Sequence, residues 1–217
     1  MRKWDKLKFI EQNGVVAVVR KVEPTIVDDV INALINGGIK VIEITVDSKN
    51  SYHTINKLKE KYGNELLVGA GTVLDAPTAK MAIDANADFI FSPTFNEETV
   101  RITNQYGRIS IPGVLTPTEI LNAYAAGADI LKVFPGATYG PGYFKDVLAP
   151  LSHIPLMPTG GVNLSNLKLF LNNGAMSVGI GGSLLDRKLI ASRDFDGIRL
   201  LANQYITLFK EVKGIEG

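Results

Sequence analysis

The run VVAVVRKVEPTIVDDVINALINGGIKVIEITV, residues 15–46, decides the fold. It opens with VVAVVR (15–20), β-branched and apolar up to Arg20, as a strand buried on both faces reads. PTIVDDVINALINGG follows, with Ile26, Val27, Val30, Ile31, Leu34 and Ile35 on one helical face and Gly37-Gly38 as its stop. IKVIEITV (39–46) is a strand again. Strand, helix and strand in this order make a parallel βα unit.

Working outward, the same alternation recurs. LLVGAG (66–71), DFIFSP (88–93), RISIPG (108–113), DILKVFP (129–135), IPLMPTGG (154–161) and AMSVGIGG (175–182) read as further strands. Helices are expected at SYHTINKLKEKYG, from Pro77, Asn96 and Pro117, and near Gly142, Asn163 and Ser183. Eight strands, each followed by a helix, predict a (β/α)8 TIM barrel with lean loops. An extra N-terminal helix (3–13) and a tail from Arg193 to Lys213 would flank it. A doubly wound open sheet is the alternative. It is disfavoured because GAGTVL (69–74) has Leu74 where a dinucleotide fingerprint needs its third glycine. With no linker or low-complexity segment, residues 1–217 read as a single domain.

Composition narrows the function. Lys plus Arg is 23 against 22 for Asp plus Glu, so there is no electrostatic footprint for nucleic acid or an anionic membrane. Cysteine is absent, which removes disulfides, thiolate metal sites and thiol nucleophiles. The opening MRKWDKLKFIEQNG lacks an apolar core and does not read as a signal peptide, and no apolar run reaches membrane-spanning length. A cytoplasmic location is expected. His53 and His153 are scattered, so no metal site is expected. Asn163-Leu164-Ser165 matches a glycosylation sequon but reads better as helix N-cap chemistry. Tyr139, Tyr143 and Phe144 read as a lid, a subunit contact or plain packing.

In such a barrel the chemistry sits where strands end. Those ends carry Arg20, Glu43 with Thr45, Gly71-Thr72, Ser92-Pro93, Pro112-Gly113, Lys132 with Phe134, Thr159-Gly160-Gly161 and Gly181-Gly182-Ser183. Three are charged residues inside apolar strands: Arg20, Glu43 and Lys132. A structural ion cluster is one explanation. Chemistry is the other: burial and a neighbouring Arg20 would depress the Lys132 pKa and free its amine to attack a ketone, with Glu43 shuttling protons. The Gly-Gly pairs in TGGVNLSNL and GIGGSLL are either tight turns or a phosphate cradle of backbone N–H groups aimed by helix N-termini. Adjacent strands carry both pairs, which favours phosphate.

IEIT around Glu43, VGAGTVL (68–74), FSP (91–93), IPG (111–113), LKVFP (131–135), PTGGV (158–162) and IGGS (180–183) follow in the order and spacing of a known family. From about Val15 to Leu185 the sequence resembles the 2-keto-3-deoxy-6-phosphogluconate (KDPG) and 4-hydroxy-2-oxoglutarate (KHG) aldolases. The resemblance implies a TIM barrel, a homotrimer and a metal-independent, cofactor-free class I aldolase acting on a phosphorylated 2-keto-3-deoxy sugar acid. It implies that Lys132 is the Schiff-base lysine and Glu43 the general acid/base. Thr72 and Arg20 would hold the pyruvate carboxylate, Phe134 and Pro93 would wall the pyruvate pocket, and Gly160, Gly161, Gly182 and Ser183 would bind phosphate.

One departure stands out. Many members carry arginine four residues after the catalytic glutamate, where this chain has Asp47. FPGATYGPGYFK (134–145) looks like relatives acting on the galactonate epimer, whereas Thr159 looks like the gluconate-type enzymes. Cleavage of the 6-phosphogluconate compound is the expected reaction. The galactonate epimer, 4-hydroxy-2-oxoglutarate, a phosphosugar isomerase or epimerase, and a non-catalytic sugar-phosphate binder are the alternatives.

Overall fold

A computed structural model describes residues 1–215. The chain runs α1 (Lys3–Asn13), β1 (Val15–Val19), α2 (Val27–Asn36), β2 (Val41–Thr45), α3 (Ser51–Tyr62), β3 (Leu67–Gly71), α4 (Ala76–Asp84), β4 (Phe89–Phe91) and α5 (Glu97–Gln105). It continues through β5 (Ile109–Ile111), β6 (Gly113–Val114), α6 (Pro117–Ala125), β7 (Leu131–Val133) and α7 (Gly140–Leu148). The last elements are β8 (Leu156–Pro158), α8 (Leu167–Asn172), β9 (Val178–Ile180), α9 (Arg187–Ala191) and α10 (Phe195–Lys213). All strand pairs are parallel, in a six-stranded sheet ordered β5-β4-β3-β2-β1-β9 and a three-stranded one ordered β6-β7-β8. The architecture is α/β, a curled parallel sheet with helices on its outside.

Nine strand segments replace the eight expected because the run 108–113 is divided at Pro112. Proline has no N–H to give a ladder, yet its carbonyl still accepts from Lys132 N at 2.9 Å. Local chemistry starts the helices where the punctuation placed them. The Asp75 carboxylate accepts from Thr78 N ahead of α4, Asn96 from Thr99 N ahead of α5, and Thr116 with Glu119 forms a capping box for α6. Two starts need correction. α8 begins at Leu167 rather than near Asn163, and α9 at Arg187 rather than near Ser183. Asn163 accepts from Ser165 N and Oγ, and Asn166 donates back to Gly161 O, so these side chains fold a turn before the helix can start. Asn163 therefore caps that turn and not the helix.

The two-residue period of the strands divides the core into two layers. Val15, Ala17, Val19, Ile42, Ile44, Val68, Ala70, Leu131, Val133, Leu156 and Ile180 pack outward against the helices. Val16, Val41, Leu67, Phe89, Phe91, Ile109, Ile111, Ile130 and Met157 point the other way, into the hollow of the curl. Ile10 of α1 joins this inner cluster and is fully buried, so the N-terminal helix plugs one end. By the same alternation Glu43, which follows Val41 by two, and Lys132, which follows Ile130 by two, are on the inner face. A lysine between Leu131 and Val133 is thus the inner residue of a strand whose neighbours face outward.

If Ile10 is the plug, Ile10→Ala leaves a cavity that α1 cannot collapse into. Stability should fall by about 2–5 kcal/mol, read as a lower denaturant midpoint at unchanged slope.

Candidate active site

Glu43 in β2 is 1% exposed, and its Oε2 has no hydrogen-bond partner. Its carboxyl occupies the space where a side chain at residue 71 would be: a Cβ on Gly71 would sit 1.4 Å from Glu43 Oε1. Lys132 in β7 is 6% exposed. Its Nζ is 4.2 Å from the centre of the Phe91 ring and 4.7 Å from that of Phe134. No ion pair joins Lys132 to Glu43 among the described residues, so neither charge is neutralised by direct contact.

Burial therefore dominates both titrations. It pushes the Glu43 carboxyl up to about 7, against the opposing charges of Lys132 and Arg20 and with a small push from Asp47. It also holds the Lys132 ammonium below the usual lysine range, helped by Arg20 and opposed by Glu43. Lys132, Glu43 and Arg20, the last just beyond β1 rather than inside it as expected, share one electrostatic environment. They do not form a closed ion cluster, because Arg20 is turned aside. Its guanidinium donates to Asp47 Oδ2 from Nη2 at 3.0 Å and from Nε at 3.3 Å, and its side chain is 57% exposed. Lys21 Nζ adds a contact to the same oxygen at 3.4 Å. Burial pushes the Asp47 carboxyl up, but hydrogen bonds from Thr45 and Arg20 outweigh it and leave Asp47 below the ordinary carboxylate range.

The remaining predicted residues stand at the carboxyl ends of β3, β4, β7, β8 and β9. Thr72, just after β3, has φ 59°, a left-handed conformation that a β-branched residue adopts only under constraint. The backbone of Pro93 lies so close to Gly113 that a Cβ there would come within 2.2 Å of it. Phe134 is half-covered, with its ring over Gly160. Thr159 is buried with an unpartnered Oγ1, in the space left by the missing side chain of Gly179. Gly160 and Gly161 are both left-handed, at φ 90° and 78°, and a Cβ on Gly161 would meet Ala137 Cβ at 2.3 Å. Gly181-Gly182 leads to Ser183, whose Oγ donates to Val162 O and so ties the two glycine loops together.

The N–H groups of Gly161, Gly182 and Ser183 have no protein acceptor among the described residues, whereas that of Gly160 belongs to the parallel bridge between Thr159 and Gly179. The helices that follow, the short α8 and α9, begin only at Leu167 and Arg187, several residues beyond the glycine pairs. That corrects the expectation that helix ends would aim them. Sequence reasoning missed Phe91 as the floor under Lys132. Its alternation with Phe89 was the available signal. It also missed the space that Gly71 and Gly179 leave for Glu43 and Thr159. Of the aromatic residues after β7, Tyr139 stacks on Tyr143 at 5.3 Å, and Phe144 is core packing.

A family profile described as "KDPG and KHG aldolase" matches residues 7–201. Among characterised proteins, the chain is 32% identical over 170 residues to the 2-dehydro-3-deoxy-6-phosphogalactonate aldolase of Escherichia coli K12, covering 78% of this chain and 83% of that one. It is 33% identical over 182 residues to the 2-dehydro-3-deoxy-phosphogluconate aldolase of Pseudomonas aeruginosa, covering 83% and 82%. Among solved structures, a native KDPGal structure superposes with a TM-score of 0.86 at 29% identity, covering 92% of this chain and 96% of that one.

The Glu43 environment has a thermodynamic signature. Its folded pKa, about 7, lies above the ordinary 4.5, so the native state holds this proton more tightly than the unfolded chain. That contribution is complete below pH ~4.5 and is lost as pH rises through ~7. Glu43→Gln, which cannot ionise, should therefore gain stability relative to the parent between pH 5 and 8, by about 1–3 kcal/mol. Denaturant titrations of both proteins across that range check it. Parallel pH profiles would count against the buried, unpaired carboxyl.

Proposed function

The chain belongs to the KDPG and KHG aldolase family, and from that membership we propose that it is a class I aldolase cleaving 2-keto-3-deoxy-6-phosphogluconate to pyruvate and glyceraldehyde 3-phosphate. The observation that carries this is Lys132: a buried amine with a depressed pKa, held between two aromatic rings and close enough to feel an unpartnered, half-protonated Glu43. Neutral Lys132 attacks the C2 carbonyl, and loss of water leaves an iminium. The Glu43 carboxylate accepts the C4 hydroxyl proton as the C3–C4 bond breaks and its electrons pass into the iminium, giving an enamine and the aldehyde. Glu43 returns the proton to C3, and water releases pyruvate from the lysine. A group with a pKa near 7 is suited to both proton transfers.

Around these two groups, the unpaired N–H donors of Gly161, Gly182 and Ser183 support phosphate binding, with the left-handed Gly160 and with Gly181 shaping the two loops. Arg20 and Thr72 take the carboxylate, and Phe134 and Pro93 wall the pyruvate portion. Thr159 Oγ1, enclosed without a partner, suits a substrate hydroxyl near C4 and favours the gluconate compound. The second reading is the galactonate epimer, supported by the E. coli relative and by Asp47 in place of the usual arginine.

The same proposal takes residues 1–217 as one domain and the sheet as a closed (β/α)8 barrel. In support, a parallel bridge pairs Thr159 with Gly179 at the β8–β9 seam, and Pro112 joins β5 to β6 on the other side. A homotrimer in the cytoplasm follows from the family resemblance. No helix among the described residues is long and apolar enough to cross a membrane.

Borohydride added with pyruvate should attach one reduced pyruvyl group, located by peptide mass spectrometry on Lys132. Labelling at another lysine, or no labelling, would remove the imine mechanism. A second measurement concerns Arg20. Because it is half in solvent, Arg20→Ala should raise KM roughly 5-fold, about 1 kcal/mol, with little change in kcat. Asp47→Asn removes a competing acceptor from that guanidinium, so its KM should not rise. The opposite ranking would place the carboxylate elsewhere.

A further inference from the structure

At the amino ends of the strands, opposite the pocket around Lys132, lies a second cleft of about 280 Å³. Its walls include Lys6 of α1, Lys59 of α3, Asp88 just before β4 and Arg108 just before β5, with Glu60 and Asn64 at the rim. Asp88 is almost fully buried and already saturated. Lys6 Nζ donates to its Oδ1 at 2.6 Å, Lys59 Nζ contacts its Oδ2 at 2.6 Å, and Val68 N reaches Oδ2 at 3.1 Å. Lys59 is further satisfied by the carbonyls of Gly63 and Leu66.

Arg108 has none of this. It makes no ion pair among the described residues, and its Nε is enclosed without an acceptor. Three cations thus face two carboxylates, and one of these, Glu60, is exposed and already accepts from Asn56. An enclosed guanidinium donor without an acceptor is costly, since it has lost water and gained nothing. A planar fork of N–H donors is the arrangement that recognises oxyanions.

We propose that this cleft binds a phosphate group, either inorganic phosphate or a small phosphomonoester, with Arg108 as the principal donor and Lys6 supplying a second cation. The site is separate from the glycine loops and contributes nothing to the imine chemistry. Its consequence is mechanical: an anion held by Arg108 and Lys6 ties α1, the plug of the sheet's hollow, to the start of β5. Ligand binding to the native state alone then stabilises the fold by mass action.

The test is a phosphate titration followed through the Arg108 Nε–Hε resonance in heteronuclear NMR, at constant ionic strength maintained with chloride. That resonance should shift and saturate, separately from the backbone signals of Gly161 and Ser183. Phosphoglycolate run in parallel separates the two sources: tighter saturation identifies a phosphomonoester, equal saturation the inorganic ion. In calorimetry the parent should show two phosphate sites. Arg108→Lys, which keeps the charge but loses the fork, should weaken one of them at least ~5-fold. Gly161→Val should remove the other. An Arg108 resonance that moves no more with phosphate than with chloride, or a single site that Gly161→Val abolishes, would overturn the proposal.

Discussion

Everything at this site depends on holding an ammonium and a carboxyl group inside an apolar sheet without letting them neutralise each other. Desolvating either charge costs several kcal/mol, and direct pairing would return part of that. Here Lys132 is set on Phe91 and Phe134 while Glu43 leaves one oxygen unpartnered. The cost is therefore taken out in protonation, with the acid raised to about 7 and the amine lowered. A tightly paired Lys132–Glu43 would be more comfortable and less reactive, because pairing favours both charged forms.

Maintaining that arrangement falls on small residues and on the opposite end of the sheet. Gly71 and Gly179 have no side chain so that Glu43 and Thr159 can occupy the space, and Gly113 allows the Pro93 backbone to close in. Below this layer the inner face is apolar apart from the buried Ser177 and is sealed by Ile10, and the Lys6–Asp88–Lys59 group ties α1 to the sheet. Rigid elements thus hold the lysine and glutamate. The glycine loops that follow β8 and β9 are in turn joined by the Ser183 hydroxyl.

Asp47, just beyond β2, takes up the guanidinium of Arg20 and the ammonium of Lys21. A cation that would attract an anionic substrate is thereby partly screened, and the Asp47 charge also helps to raise the Glu43 pKa. Arg20, Asp47 and the acidity of Glu43 are thus coupled electrostatically through one surface ion pair.

The amino-acid sequence by itself determined the parallel βα order, the boundaries of most helices and the identity of the strand-borne Lys132 and Glu43 and of Arg20 just beyond β1. These are encoded locally: β-branched runs, the 3.6-residue stripe of α2, caps at Asp75, Asn96 and Thr116, and charges conspicuous in apolar strands. Ordered motifs at fixed spacing also made the family recognisable. Tertiary structure alone decided that Arg20 is drawn to Asp47, that Phe91 lies under Lys132, and that Ser183 joins its loop to Val162. It also decided that Pro112 divides a strand and that Asn163 folds a turn instead of starting α8. Arg20 and Asp47 lie at the ends of separate strands and Phe91 and Lys132 on different strands, so no local pattern in the chain reports their distance. Pairing of β1 with β2 brings the first two within reach and the curl of the sheet the second two, and only there does burial set the protonation of Lys132 and Glu43.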